Sequence, residues 1–518
     1  MSVSDMTNTL TNHDNSCSSA RLERKLGKIN MVAMTFAILN TWIALAGVMG
    51  MVLGAGGPVA FIYGFIFCVL CNLCITASLG ELASIWPTAG GQYHYAYMLG
   101  SERWKRISSF TVGWLSIVGW LTLVTTAAYF AAFFITAAII VATNEAYDPA
   151  PWKVYLIFAA IIIFTTISNL YGNKIINHWN NAAMIWSLLC FGILSVTLLA
   201  TSKKTSATYV FTGFSNTTGW PSGISWILGM LQSALSLIGS DAATHMSEEM
   251  PRPTRDTPKA MVYSIVVGGV TGLAFILVIL FCLNDAEGVL TSATGMPITE
   301  MIYQSTGSAA AATILTLMLA ICFINGTNAA VTTVSRLMFA MARDKGTVGW
   351  EFFARINPTT KVPSRTIIAC CIFNLCFGLL YLGPTVAFNA YVSCTTLFLN
   401  ISYGSPILML VLSGRRAVSD QVVDFSLGRM GPVLNLVSVL FIAITSVFLC
   451  FPTGLPATSN NMNYVTTVIG IAAVFISITW MITRKSYDGP DVSIVEGVQS
   501  GDSAQQDIGH FGKSKLEG

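Results

Sequence analysis

The sequence has few charged residues for its length. Only 10% of its 518 residues are Asp, Glu, Lys or Arg, whereas soluble globular proteins carry about 25%. Hydrophobic residues make up 54% of the chain, and the mean hydropathy is +0.66. These values exclude an ordinary soluble domain and predict an integral membrane protein embedded in a lipid bilayer.

Features typical of other protein classes are also missing. No basic run with interleaved aromatic residues occurs, which argues against nucleic-acid binding. No phosphate-binding loop, dinucleotide fingerprint or H-E-x-x-H motif occurs, so we predict no enzyme, no resident cofactor and no metal. None of the 12 cysteines lies in a long outer loop, which argues against a disulfide framework. Cys68, Cys71 and Cys74 are spaced like small residues on one helix face.

Apolar runs of about 20 residues, the length that crosses a bilayer as a helix, recur along the chain. The first 30 residues are polar and lack the apolar core of a signal peptide, so we predict a cytosolic tail. The runs predict twelve spans, at 31–54, 59–80, 107–141, 153–171, 179–201, 223–246, 260–283, 308–340, 365–382, 385–413, 431–451 and 464–483.

The basic residues indicate the direction of these spans. If the N-terminus is cytosolic, 24 of the 27 Lys and Arg residues fall in the tails and in cytosolic loops, leaving Lys153, Lys203 and Lys204 outside. Because cytosolic loops are enriched in Lys and Arg, we predict that both termini are cytosolic. The loops 202–222 and 284–306 are then extracellular, and Asn216 in "NTT" is a candidate glycosylation site in the first of them, although an unused acceptor is equally compatible with the pattern.

Polar or flexible residues interrupt two of the spans. Asn40 and Thr41 break the first, and Gly239, Ser240 and Asp241 break the sixth. Each is the first helix of a five-helix set, a pattern typical of inverted-repeat transporters with paired discontinuous helices. We therefore predict an all-α membrane protein with repeats at 31–201 and 223–413, extra helices within 431–483, and tails at 1–30 and 484–518.

Three segments resemble the amino acid–polyamine–organocation superfamily. They are "SLGELASIWPTAGGQYHYA" (78–96), "GSDAATHMSEEMPRPTRDTPKAM" (239–261) and "SRLMFAMARDKG" (335–346). The first break and the "DAATHMSEE" version are most similar to the fungal amino acid/choline transporter group, which includes GABA and choline permeases. The resemblance implies a secondary-active permease that imports amine-bearing solutes, with a choline or ethanolamine permease as the alternative and a non-transporting nutrient sensor as a less favoured one.

The resemblance also places the substrate between the two broken helices. It implicates Asn40, Thr41 and Trp42 in the first, and Ile238, Gly239, Ser240 and Asp241 in the sixth. Free N–H groups of a half-helix suit a substrate carboxylate, and unwound carbonyls suit an amine. Trp42 could offer its π-face to a quaternary ammonium or simply pack against a neighbour, and Trp120, Tyr129 and Phe323 could complete such a cage.

Asp241 is the most informative side chain, because an acid deep in a membrane helix is costly and usually functional. Three interpretations stay open. The carboxylate could pair with a substrate amine, carry a proton, or cap the second half-helix without touching substrate.

A second group of residues is expected to form a gate on the cytosolic side. The loop residues Pro87, Gly90 and Gly91 belong to it through the family resemblance. Glu248 and Glu249 precede Arg252 and Arg255, which predicts a charge cluster or gate. His94 in the same loop is expected to be solvated rather than a proton relay.

The coupling ion is open from the residues alone. In several relatives a Lys in the fifth helix fills a sodium position, but Ile185 or Trp186 occupies that neighbourhood here. Thr332 and Thr333 could offer oxygens to a cation, yet membrane threonines usually bond their own backbone. The fungal resemblance implies coupling to a proton and a place in the plasma membrane. The oligomeric state is not predicted.

Overall fold

A computed structural model describes residues 27–172, 175–383, 387–419, 421, 423–458 and 461–491. Most of the two predicted tails lies outside these residues. Within them, the regular elements are helices, apart from one isolated bridge between Ala55 and Asn216. The main helices are α1 (Lys28–Leu39), α2 (Thr41–Gly54), α3 (Phe65–Ile85), α4 (Gln92–Leu99), α5 (Lys105–Ala142), α6 (Pro151–Tyr171), α7 (Ile176–Thr201), α8 (Ser222–Leu235), α9 (Pro253–Cys282), α10 (Ala309–Arg343), α11 (Ser364–Gly378), α12 (Ala387–Leu412), α13 (Gly431–Phe448) and α14 (Val465–Thr483).

These helices agree with a twelve-span membrane protein. Among the described residues, eleven helical stretches are long and apolar enough to cross a bilayer. The remaining predicted span, 223–246, falls short of that length because it is divided into α8 and a single turn, Ala242–His245. Large apolar side chains such as Ile163, Phe164 and Ile167 on α6 are exposed, as a lipid-facing surface requires.

The first span is broken where the sequence predicts. Asn40 adopts a left-handed conformation with φ of 47°, ends α1 and precedes α2. Asparagine is one of the few residues that enter this region readily, because its short polar side chain can bond locally. A single residue therefore interrupts the helical path inside the bundle.

The sixth span is broken more extensively. After α8 ends at Leu235, Gly239 takes a φ of 107°, which L side chains rarely adopt. The turn Ala242–His245 follows, and the short 3-10 segment Ser247–Glu249 ends the span. The predicted second half-helix is therefore short, a single turn followed by the 3-10 segment.

Two long helices form the centre of the bundle and hold the broken spans in place. α5 packs against both α10 and α12, and α9 packs against α1 and α3. The halves of the two broken spans that lie nearer to Asn216, α2 and α8, pack directly against each other. We call the end of the bundle near the loop 202–222 the Asn216 end. The opposite end, where Ser247–Glu249 lies, is called the Glu248 end.

The predicted loops at the Asn216 end contain short helices. Residues 202–222 include Ala207–Thr212, and residues 284–306 include Ala286–Leu290 and Pro297–Thr306. Asn216 is exposed, and its side-chain amide donates to the Trp220 carbonyl oxygen at 2.7 Å. Glycosylation of Asn216 stays a prediction.

Candidate functional site

The two helix breaks lie next to each other inside the bundle. A Cβ atom on Gly239 would lie 3.0 Å from Ile38 Cγ2, at the end of α1, and 3.7 Å from the Trp120 ring. Asn40 Nδ2 donates to the Cys322 carbonyl oxygen on α10 at 3.0 Å. The structure thus brings together the residues predicted from the two interrupted spans.

Asp241 lies at the centre of this region and is fully buried. Its Oδ2 atom accepts hydrogen bonds from Gln92 Nε2 at 2.9 Å and Trp120 Nε1 at 3.1 Å. The Tyr403 hydroxyl donates to Oδ1. His245 Nε2 lies 3.1 Å from Oδ2. Side chains from α4, α5 and α12 therefore converge on one carboxylate.

The structure confirms the N-cap position of Asp241 but not a capping role for its side chain. Asp241 does occupy the position before the turn Ala242–His245, but its side chain makes no capping hydrogen bond. Its carboxylate instead contacts side chains from elsewhere in the bundle. The amine-partner interpretation also loses support, because four partners already surround a carboxylate that can accept about four hydrogen bonds.

The other predicted substrate residues are buried at or near the breaks. Ile238 and Ser240 are both buried, and Ser240 Oγ lies 3.1 Å from Thr76 Oγ1 on α3. Thr41 Oγ1 is buried at the start of α2 and has no hydrogen-bond partner. In the first turn of α2, the N–H groups of Ile43 and Ala44 donate to the Asn40 carbonyl oxygen at 3.0 and 2.8 Å, whereas those of Thr41 and Trp42 precede the first hydrogen bonds of the helix. These groups are suited to bind a substrate.

The predicted aromatic cage is not assembled. Trp42 packs edge-on against Phe191 and Phe275, with ring centroids 5.7 and 5.0 Å away, and its Nε1 donates to Ser187 Oγ at 3.0 Å. Tyr129 and Phe323 stack with other rings: Tyr129 with Phe158 and Tyr391, and Phe323 with Phe130 and Phe134. Of the four aromatic residues, Trp120 lies at the Gly239 break.

We predict that Trp42 acts through packing. Trp42→Phe keeps an aromatic ring against Phe191 and Phe275 and loses one hydrogen bond, a cost of about 1 kcal/mol. Labelled-choline uptake by this variant should show a half-saturation concentration within about twofold of the wild type. Trp42→Ala, the control, should destabilise the protein by about 3–5 kcal/mol. A tenfold rise of half-saturation in Trp42→Phe would instead place Trp42 on the substrate.

The predicted gate residues contact one another at the Glu248 end. Glu248 accepts two hydrogen bonds from Arg343, each of 2.9 Å, and one from Ala89 N at 3.1 Å. Such a paired arrangement of guanidinium and carboxylate is among the strongest side-chain contacts. Pro87, Gly90 and Gly91 flank Ala89 and are all buried. The loop, the end of the sixth span and α10 are thus fastened together.

Burial and a neighbouring charge act in opposite directions on Glu248, which lies beyond the predicted span 223–246. Burial alone would raise the pKa of its carboxyl group. The charge and hydrogen bonds of Arg343, together with the Ala89 N–H and His94, outweigh burial and lower the pKa of the Glu248 carboxyl group to about 2. Glu248 therefore stays charged, and its contact with Arg343 persists, across the physiological pH range.

The structure identifies the partners of the two glutamates and contradicts one prediction, that His94 is solvated. Glu248 and Glu249 pair with Arg343 and Arg336 of α10, not with Arg252 and Arg255; Glu249 Oε1 lies 3.1 Å from Arg336 Nε. His94 is not solvated: it is 2% exposed, and its Nε2 lies 3.3 Å from Asp344 Oδ2. In both cases the partner lies on or directly after α10.

The residues considered for a sodium site have other surroundings. Ile185 is 56% exposed on the outer surface, so it does not occupy an interior ion position. Thr332 donates to Asn169 Oδ1 at 2.6 Å and to its own backbone at Asn328 O, and Thr333 donates to Ala329 O. Both threonine hydroxyl groups therefore donate to carbonyl oxygens of their own helix, as the sequence indicates.

Two cavities lie at the Asn216 end. One, of about 280 Å³, is lined by residues that include Gly54, Gln232 and Asn463. The other, of about 320 Å³, is lined by residues that include Gly47 and Phe130. Met51 of α2 lines both. Open space thus lies at the Asn216 end, whereas ion pairs connect the helices at the Glu248 end.

Several residues of this site escaped sequence reasoning. Gln92 and Tyr403 carry no local signal, because they reach Asp241 from distant parts of the chain. His245 did carry one, since a residue four positions after Asp241 lies on the same helical face. Arg336 and Arg343 were also detectable as charges within a long apolar helix.

Comparison with known proteins agrees with this architecture. Residues 29–474 match the model of the family described as amino acid permease. The chain is 30% identical over 467 residues to the choline transporter of Saccharomyces cerevisiae, covering 90% of this chain and 82% of that protein. It is 31% identical over 437 residues to a Macrophomina phaseolina protein provisionally named an amino acid/polyamine transporter, covering 84% and 96%. It is 26% identical to amino-acid permease BAT1 of Arabidopsis thaliana, covering 92% and 94%.

Fold and site define a multi-pass membrane transporter with paired broken helices, not an enzyme. The chain belongs to the amino acid permease family, within the superfamily whose motifs the sequence carries.

Proposed function

We propose that this protein imports small amine-bearing solutes by alternating access coupled to protons. The solute is either choline or an amino acid such as GABA. The observation that carries the proposal is the meeting of the two broken helices beside the buried Asp241. Unwound backbone inside a membrane is tolerated where it lines a binding site, and the breaks leave polar groups such as Thr41 Oγ1 available.

The closed Glu248 end and the cavities at the Asn216 end support the alternating-access part. A solute entering from the Asn216 end would reach α2 from the cavities that Met51 lines. Release on the other side would require the contacts of Glu248 with Arg343 and of Glu249 with Arg336 to separate.

Choline is a second candidate substrate, and the similarity to the yeast choline transporter favours it. Choline lacks a carboxylate and needs an aromatic face, which Trp120 could supply at the break. An amino acid would instead use the N–H groups at the start of α2.

Uptake by the purified protein in liposomes tests these proposals. Labelled GABA, choline and a panel of amino acids should be offered with an inward proton gradient, with and without a protonophore. We expect accumulation of at least one of them that the protonophore abolishes. Failure of every member of the panel to enter would contradict transport and favour a sensor.

We further propose that both termini are cytosolic and that the protein resides in the plasma membrane. A reporter fused after Lys485 should be protected from external protease in intact cells and become cleavable after permeabilisation. Cleavage in intact cells would reverse the orientation.

A further inference from the structure

We propose that Asp241 and His245 together bind one exchangeable proton, and that this pair is the site of the coupling proton. The proposal rests on the proposed function for the coupling role, whereas the proton itself follows from the hydrogen-bond geometry. Both side chains are fully buried at the break of the sixth span.

The position of one proton on His245 is set by a backbone carbonyl. His245 Nδ1 lies 2.9 Å from the Ala89 carbonyl oxygen. A carbonyl oxygen only accepts hydrogen bonds, so Nδ1 must carry a proton to make this contact. In a neutral imidazole the other nitrogen, Nε2, is then an acceptor with a lone pair.

That lone pair would point at a carboxylate. Nε2 lies 3.1 Å from Asp241 Oδ2, a distance typical of a hydrogen bond. A bare nitrogen facing an ionised oxygen would be repulsive, so one further proton must lie between them. The pair is either an imidazolium beside a carboxylate or a neutral imidazole beside a carboxylic acid, and both forms contain the same number of protons.

The other described neighbours of Asp241 and His245 do not release or take up a proton near neutral pH. Trp120 and Gln92 donate through groups that do not ionise near neutral pH. The titratable groups that face the pair are Tyr403 from α12 and Tyr95 from α4. Both are phenols, whose ordinary pKa near 10 keeps them protonated.

The pair is connected to the closed end of the transporter through one residue. Ala89 accepts from His245 with its carbonyl oxygen and donates to Glu248 with its N–H at 3.1 Å. Glu248 in turn binds Arg343. Loss of the shared proton would replace the attraction between Nε2 and Oδ2 by repulsion and loosen the loop around Ala89. Proton release would thereby favour opening of the Glu248 end.

A second buried pair of the same residue types provides a control. His94 Nε2 lies 3.3 Å from Asp344 Oδ2, and Tyr93 donates to the same oxygen at 2.6 Å. This pair joins α4 to the residue directly after α10, and no carbonyl contact fixes the tautomer of His94 among its described hydrogen bonds. His94→Gln should therefore leave the shared proton of Asp241 and His245 in place.

The first arm of the test does not depend on transport. Infrared difference spectra of the purified protein in lipid, recorded across a pH titration, should show a protonation step in the wild type and in His94→Gln. The step should move by about one pH unit or more in both Asp241→Asn and His245→Gln, because the group that remains then titrates without its partner. An unshifted step in either folded variant would overturn the proposal, as would the absence of the step from the wild type.

The second arm measures coupling with labelled choline and labelled GABA in liposomes. One proton and a gradient of about 1 pH unit support about tenfold accumulation. Asp241→Asn and His245→Gln should lose this accumulation, with a ratio of about one, while retaining exchange of labelled for unlabelled solute. Tenfold accumulation in either variant would overturn the coupling role. If the wild type moves no member of the full panel of GABA, choline and amino acids, the proposed function fails, and the infrared arm still decides whether the pair binds a proton.

Discussion

Gly239→Leu is expected to reduce the maximal rate of uptake by about 100-fold or more while the protein still folds and inserts. Gly239 has a φ of 107°, which a leucine adopts only with strain. Its Cβ would lie 3.0 Å from Ile38 Cγ2, and the rest of the side chain would extend towards Trp120 and Leu123. A displacement of about 1 Å in groups that must be precisely positioned can by itself lower a rate about 100-fold.

The measurement is initial uptake per molecule of membrane-inserted protein, with abundance determined by surface labelling. Gly470→Leu is the matched control, since Gly470 lies on the exposed face of α14 with no heavy atom within 4 Å of its Cβ position. That variant should transport like the wild type. Near-normal uptake in Gly239→Leu would show that the break is not the transport site.

The breaks in the two spans could be predicted from the sequence because their causes are local. Asn40 and Gly239 are residues that tolerate a positive φ, and each interrupts an otherwise continuous apolar run. The number of spans follows from the same kind of local property, the length of apolar runs.

The partners across the bundle could not be predicted, because they depend on contacts between distant segments. Gln92 reaches Asp241 across 149 residues and Tyr403 reaches it across 162. The segment around Gly91 contains the glycines of a loop, yet α4 begins at Gln92 and is buried between other helices. Local polarity predicted solvent for His94, whereas the bundle provides Asp344.

The acidic pair at the end of the sixth span shows why nearby charges mislead. Arg252 and Arg255 are the arginines nearest in sequence to Glu248 and Glu249. The arginines that bind these two glutamates come instead from α10. Arg336 and Arg343 are seven residues apart, so they lie two turns apart on one face of α10. A charge inside a long apolar helix is the better indicator of a functional contact than one at its end.

The ion pair between Glu249 and Arg336 is expected to produce the largest effect on stability. Arg336 is 2% exposed and Glu249 is 6% exposed, so neither can be hydrated if the other is removed. Arg336→Met and Glu249→Leu should each destabilise the protein by about 3–5 kcal/mol, because each leaves an uncompensated buried charge. The double variant replaces both charges by apolar side chains and should recover most of this loss.

Denaturation of the four proteins in mixed micelles completes a double-mutant cycle, with a coupling energy of about 3 kcal/mol or more expected between the two sites. Simple addition of the two single losses would show that the residues act independently.

Uptake by the stable double variant then separates a structural contact from a gate. If the two residues must part for the Glu248 end to open, apolar substitutes will change how readily it opens, so transport should change although stability is restored. Wild-type uptake kinetics in the double variant would mean that the contact stays closed throughout transport, and would leave the contact between Glu248 and Arg343 as the gate.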